Sequence, residues 1–335
     1  MLRSPRLWLG FAVSALFVVL LLRQVDPGEL ADAVRGVRPA WLLAAGAVYL
    51  AGLWLRSLRW WLVLRPSLAI SIRDTFVLVV IGSAANNLLP ARAGDLVRAG
   101  LLQQRHGGSW MLGLGTIALE RVLDGIVLTV FLATTIALAG GSTLLRGLAL
   151  FAGAVFVAIT PLIVLLIARP EATTAMVARL PRLLPAALRP RARAWLDGFL
   201  GGLTTLRGPA AWSRVVAVTV VSWAFEAAAY WLVGVAFGLD VSPPLYLGVA
   251  AATNLAIAVP STVGGIGPFE FFARETVVAY GAATTLATAY AIVLHALLLI
   301  PVVVAGLLLL WQRHIGLRAF ATARKPTAAG STHDG

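Results

Sequence analysis

Two short stretches concentrate the residues able to do chemistry. The first, "AANNLLPARAGD" at 84–95 with Arg98 just beyond, sets Asn86, Asn87, Arg92, Asp95 and Arg98 at the end of an apolar run. Guanidinium groups bind phosphate or carboxylate through paired hydrogen bonds. Arg92 and Arg98 therefore read as binders of an anionic head group. Asn86, Asn87 and Asp95 read as the groups that bond broken backbone and orient those arginines. Arginines that snorkel to an inner membrane interface are the competing account. The second stretch, "PSTVGGIGPFE" at 260–270, offers Gly264, Gly265 and Gly267, which permit backbone conformations barred to other residues and let amide groups turn toward a ligand. Ser261 and Thr262 add hydroxyls. Glu270 follows Pro268 where a helix should start, so a capping role competes with a binding one, and a simple outer turn competes with the whole motif.

Other polar groups sit inside apolar runs. "ALERVLDGIVL" puts Glu120 and Asp124 on one helical face beside Arg121, positioned to pair with the first stretch or with Arg56 and Arg59 of "LWLRSLRWWLVLRP". A direct role and a purely structural ion network both fit the cluster. Arg56 and Arg59 with Trp60 and Trp61 fit a site or an aromatic-belt anchor equally well. Glu226 and Tyr230 stand one helical turn apart and should be buried between helices, and His295 reads as hydrogen-bonded packing. The absence of cysteine removes disulfides and thiolate metal sites, and the four histidines show no ligand spacing. Neither a catalytic residue set nor a metal or cofactor is expected.

The elements that must position these groups are membrane helices. The 335 residues are 60% hydrophobic and only 12% charged, with apolar runs too long for a soluble core, which makes the chain a polytopic all-α membrane protein. The net charge of +13 comes from arginines spread between apolar runs, a pattern that argues against nucleic acid as a partner and for membrane lipids. Full spans fall near 7–22, 41–64, 112–138, 147–168, 214–238 and 286–311. Shorter segments near 75–90 and 245–260 each stop at Asn, then Pro, then Gly. The loop from Arg169 to Arg214 carries eight arginines against Glu171 and Asp197, so it should be cytoplasmic, as should both termini. That placement requires the two short segments to be re-entrant hairpins. "DPGE" at 26–29 and "SIRD" at 71–74 are helix starts, the first opening a short interfacial helix. "RPRARAWLDGFLGGLTTL" should lie on the anionic inner leaflet. One membrane domain, 1–312 with its cytoplasmic interfacial loop at 169–213, precedes a disordered cytoplasmic tail at 313–335.

The two broken segments share an order of features, lie in different halves and enter from opposite leaflets. Paired interrupted segments of this kind point to an inverted-repeat transporter with its site near the bilayer midplane, although so loose a match also arises by chance. Irregular backbone at that depth needs protein or a wet cavity to satisfy it.

The stretches "LRSLRWWLVL", "NNLLPARAGDLVRAGLL", "ERVLDGIVL" and "PSTVGGIGPFE", in that order over about 10–312, resemble the flippase-like family known as the lysylphosphatidylglycerol synthase transmembrane region. Asn87, Pro90, Arg92, Gly94, Asp95, Arg98, Glu120, Arg121, Asp124, Pro260, Gly264, Gly265, Gly267 and Glu270 match its recurrent positions. The resemblance implies movement of a phospholipid, polyprenyl-phosphate-linked or hopanoid-type lipid across the cytoplasmic membrane. A soluble synthase domain is not part of this sequence, so aminoacyl transfer is not expected. An intramembrane enzyme such as a polyprenyl diphosphate phosphatase is the alternative, and a partner that recruits a glycosyltransferase or lipid synthase is a third.

Overall fold

Apolar runs, punctuated by capping residues and by Pro and Gly breaks, make the chain helical almost throughout. The computed structural model describes residues 15–21, 26–89, 93–169, 185, 188–257 and 263–315. After a helical stretch at 15–21 come α1 (Pro27–Arg35), α2 (Pro39–Leu64), α3 (Ile72–Leu88), α4 (Gly94–His106), α5 (Trp110–Ala139) and α6 (Thr143–Ala168). They are followed by α7 (Arg189–Leu203), α8 (Pro209–Phe237), α9 (Tyr246–Ala256), α10 (Pro268–Ala279) and α11 (Thr284–Gln312). Asp26 accepts from the backbone N–H groups of Gly28 at 2.7 Å and Glu29 at 3.1 Å, opening α1 as its sequence requires. Ser71 does the same for α3, accepting from the N–H of Asp74 at 3.0 Å. Leu89 turns extended, at φ −113° and ψ 145°, because a residue before proline is pushed out of the helical region.

Five helices among the described residues (α2, α5, α6, α8 and α11) are long and apolar enough to cross a membrane. They coincide with five of the six expected spans, while most of 7–22 lies outside the described residues. The arms of the two broken segments are shorter, at 17, 13, 11 and 12 residues. Each pair of arms, α3 with α4 and α9 with α10, packs on itself as a helical hairpin.

Short helix, long helix, hairpin and long helix occur in that order twice, as α1, α2, α3–α4, α5 and again as α7, α8, α9–α10, α11. The packing repeats with exchange. The α5 helix packs on α7 and α9 of the other set, just as α11 packs on α1 and α3, and α2 packs on α8. Those last two run antiparallel. The N–H of Arg38 reaches the Ala236 carbonyl at 3.1 Å, Gly52 lies against Phe225, Arg59 reaches Thr219 at 3.4 Å, and Val63 clusters with Val215. Equivalent helices of opposite direction make the two sets an inverted repeat.

Small residues set the close approaches, as expected where lipid offers helices no hydrophobic incentive to associate. Gly198 and Gly202 of α7 press against Met111 and Gly115 of α5, and Leu203 is buried with Val63 and Leu119. The helix expected on the inner leaflet therefore has a protein partner along its glycine face. Trp60, for which the sequence leaves a site role and an interfacial anchor both open, is wholly buried and donates from Nε1 to Thr116 at 3.1 Å. The interior of the membrane domain is polar enough to need it. The tail from 316 onward lies outside the described residues.

Candidate functional site

The first hairpin closes because its arms meet backbone to backbone. A Cβ on Gly94 would run into the Gly82 carbonyl oxygen and the Asn86 amide, so only glycine lets α4 turn back along α3. That closure brings Asn86 to Asp95, Nδ2 to Oδ1 at 3.1 Å. Asp95 in turn takes a fork of hydrogen bonds from Arg121 of α5, Nη2 at 2.8 Å and Nε at 3.2 Å. One turn along α4, Arg98 lies 3.6 Å over the Trp60 ring and pairs with Glu120. Glu120 also receives Nε of Arg59 at 3.1 Å, and Arg59 spans on to Asp124, Nη2 to Oδ2 at 3.2 Å. Trp223 donates to Asp124 at 2.8 Å and stacks with Arg56, which pairs with Glu226. Glu226 accepts from the Tyr230 hydroxyl at 3.2 Å and from Asn254 of α9 at 2.9 Å. A single polar network thus runs from the first hairpin through α5, α2 and α8 to the second. Asn86 Oδ1 and Arg98 Nε are buried without a hydrogen-bond partner among the described residues.

The second hairpin is built from backbone freedom. Gly264, Gly265 and Gly267 hold φ of +71°, +74° and +97°, in the region that L side chains avoid. Glu270 uses one oxygen as a cap, accepting from the N–H of Gly267 at 2.7 Å. Its other oxygen lies 2.7 Å from Nδ1 of His295 on α11, whose Nε2 lies 3.0 Å from the Gly264 carbonyl oxygen. Phe269 stacks on the imidazole with ring centroids 4.2 Å apart.

Both hairpins open onto one cavity of about 540 Å³. Its lining includes the polar Asn86, Asp95, Arg121, Asp124 and Glu226 and the apolar Leu128, Val155, Phe156 and Ile159 of α5 and α6. Charges of the lining balance: Arg56, Arg59, Arg98 and Arg121 face Asp95, Glu120, Asp124 and Glu226. Pairing keeps each guanidinium charged and in place, since an unpaired buried charge is costly. Arg59 and Arg98 expose only 4% and 9% of their side chains, against 24% for Arg56 and 39% for Arg121. Among the described arginines of the cavity, the last two are the more accessible.

Of the residues singled out in the sequence, Asn86, Asn87, Asp95, Arg98, Arg56, Arg59, Glu120, Arg121, Asp124 and Gly264 line the cavity. Gly265, Gly267 and Glu270 shape the hairpin behind it. Arg92 and Ser261, with Pro90 and Pro260, lie outside the described residues. Asp95, expected to orient arginines of its own hairpin, binds Arg121 of α5 and Asn86 of the facing arm, while Arg92 lies outside the described residues. The expected pairing of Glu120 and Asp124 with Arg98, Arg59 or Arg56 is present. Reasoning from sequence alone left Glu226, Tyr230, Asn254, Trp223 and His295 out of the site. Their one legible signal was polarity within apolar runs, which marks a residue as buried among helices without saying which cavity it meets.

An all-helical, polytopic membrane domain folded as an inverted repeat around a charged internal cavity is the class that these features define. More particularly, residues 7–306 match the family described as the lysylphosphatidylglycerol synthase TM region, and the chain belongs to it. The matched region is a transmembrane one, not a catalytic domain. Similar curated proteins include the glycosyltransferase AglD of Haloferax volcanii, 28% identical over 78% of this chain. The match spans 47% of that protein's length. Two UPF0104 membrane proteins of Methanothermobacter thermautotrophicus are also similar. One is 26% identical over 84% of this chain and 86% of its own, the other 28% identical over 77% and 80%.

Proposed function

We propose that the protein is a flippase, moving a lipid with an anionic or polar head group across the cytoplasmic membrane, with both termini inside. The observation that carries this reading is the mixed lining of the cavity, ion-paired side chains together with apolar ones. Paired arginines of α2 and α5 line it together with apolar side chains of α6, and α6 turns Val157 and Leu150 outward, 74% and 75% exposed. A solute carrier has no use for an apolar wall that continues to a lipid-facing helix, whereas a lipid needs one surface for its head and another for its tail. The accessible guanidinium groups, Arg121 and Arg56, exchange their carboxylate partners for the phosphate of the head, while Arg59 and Arg98 hold the wall in place. The ion pairs keep the charges of the cavity matched, and the cargo substitutes one anion for another.

The arginine-rich connections between spans support the orientation, through the excess of positive charge expected on the cytoplasmic side. The transferase activity in the name of the Haloferax relative belongs to a protein about twice as long as the matched region. A glycosyltransferase acting on the same lipid is accordingly a partner to test for, and the domain itself is not an enzyme in this reading.

Replacing Asp95 and Arg121 together, Asp95→Asn with Arg121→Gln, removes a head-group contact without leaving an orphaned charge. In liposomes carrying a fluorescent phosphatidylglycerol, movement of the probe should fall about tenfold or more, the equivalent of one charge-assisted hydrogen bond. Unchanged movement by a folded double variant would remove Arg121 from the site. Phosphate release from a polyprenyl diphosphate by the purified protein would favour the enzyme instead.

A further inference from the structure

His295 stands between two partners, and the hydrogen-bond inventory fixes how many protons the arrangement holds. Nε2 faces the Gly264 carbonyl oxygen at 3.0 Å, and a carbonyl only accepts, so Nε2 carries a proton. Nδ1 faces Glu270 Oε1 at 2.7 Å, and that contact needs a second proton, sited on either atom. A neutral histidine beside an ionised carboxylate supplies only one of the two. The other oxygen of Glu270 is engaged by the N–H of Gly267 at 2.7 Å, so rotating the carboxylate offers no escape. His295 lines the cavity, which gives the extra proton a path to water.

We infer that Glu270 and His295 form a proton-binding site that latches the tip of the second hairpin, and that losing the proton releases the tip. When the proton passes to water in the cavity, one N–H remains for two acceptors. The carboxylate is the stronger of them, so Nδ1–H serves Glu270 and Nε2 turns a lone pair on the Gly264 oxygen. Repulsion then replaces the latch. Gly264 is where the hairpins meet: a Cβ there would lie 3.3 Å from the backbone oxygen of Asn87, and the turn at 263–265 packs on α3. The positive φ angles of Gly264 and Gly265 leave that turn free to take up other conformations once the bond is gone.

The other charged groups around the pair are already committed. On the walls formed by α2, α4, α5 and α8 they are the matched arginines and carboxylates described above. On α10, Arg274 binds Glu275 and the carbonyls of Leu20 and Leu21. The hydroxyls of Tyr230 and Tyr290 bond to Glu226 and to the Tyr230 carbonyl, Tyr49 lines the cavity from α2, and α9 and α3 present Asn254, Asn86 and Asn87. Among the described groups at the cavity, the Glu270–His295 pair is the one whose hydrogen bonds require a proton beyond its ordinary charge state.

The test needs no cargo, so it fails separately from the transport reading, on which only the purpose of the motion rests. The chain has no cysteine, so a nitroxide attached at Ile266→Cys, on the exposed side of the tip, is unique. Its line shape is followed in phosphatidylethanolamine–phosphatidylglycerol proteoliposomes from about pH 5 to 10. The expected result is an immobile label at low pH that becomes mobile in a single-proton step as pH rises. In Glu270→Gln the amide donates to Nδ1 and its oxygen still accepts from Gly267, which supplies the missing hydrogen permanently and keeps the label immobile at every pH. His295→Ala should leave it mobile throughout. A wild-type line shape that ignores pH, or an unchanged step in Glu270→Gln, overturns the inference.

Discussion

The two hairpins meet at one cavity and hold their shapes by opposite means. In the first, α3 and α4 touch at Gly82 and Gly94, and two charged side chains of α4 are tied to α5: Asp95 to Arg121, Arg98 to Glu120. The second has three glycines at positive φ, and Nε2 of His295 lies 3.0 Å from the Gly264 carbonyl oxygen at its tip. Buried ion pairs resist motion because separating them strands charges in a medium that solvates them poorly. A glycine turn held by a proton-dependent bond resists it very little. The contrast assigns the roles: a fixed, charged wall on one side of the cavity and a movable one on the other.

The comparison breaks most severely at Glu120, which serves Arg59 and Arg98 at once. Glu120→Ala should lower stability by about 3–5 kcal/mol in detergent-solubilised thermal unfolding. A negligible loss would mean that charge does not hold the first hairpin. Next comes Gly94→Ala, which forces the arms apart at the Gly82 carbonyl and should destabilise by about 1–3 kcal/mol. The matching change in the second hairpin, Gly264→Ala, meets a positive φ but only a 3.3 Å approach to Asn87, and should lose about 1–2 kcal/mol. Its effect on probe movement in liposomes should exceed its effect on unfolding, the reverse of the order for Gly94→Ala. The smallest effect belongs to Ser71→Ala, which removes the cap of α3 and should lower stability by about 1 kcal/mol by the same measurement. The corresponding helix of the second hairpin, α9, has no side-chain cap to lose.

Much of the fold was legible in advance. Asp26 and Ser71 cap where their motifs say, five of the six expected spans fall where apolar runs place them, and the arms of the hairpins end at Leu88 and Ala256 and resume at Gly94 and Pro268, around the two Asn-to-Pro-to-Gly stretches. The candidate site was legible in part. Glu120 and Asp124 announced themselves as charges inside an apolar run, and so did Arg56 and Arg59. His295 gave the same signal but was read as packing, since nothing near it in sequence shows that Glu270 and Gly264 stand on its two sides. For Trp60 the sequence leaves a site role and an interfacial anchor equally open, and the buried Arg98 above its ring and the bond to Thr116 decide for the interior.

By itself the sequence determined where helices start, stop and break, and that charge must be buried within the membrane. Caps, proline breaks and hydropathy act between residues a few positions apart, so composition and spacing suffice to read them. Which arginine meets which carboxylate, that α2 and α8 run antiparallel as halves of an inverted repeat, and that a histidine on the last helix latches the second hairpin were decided only by tertiary structure. Those contacts join residues far apart in the chain, 170 positions apart for Arg56 and Glu226. A low-dielectric interior demands that every charge find a partner, and helix rotation and packing choose which one it finds.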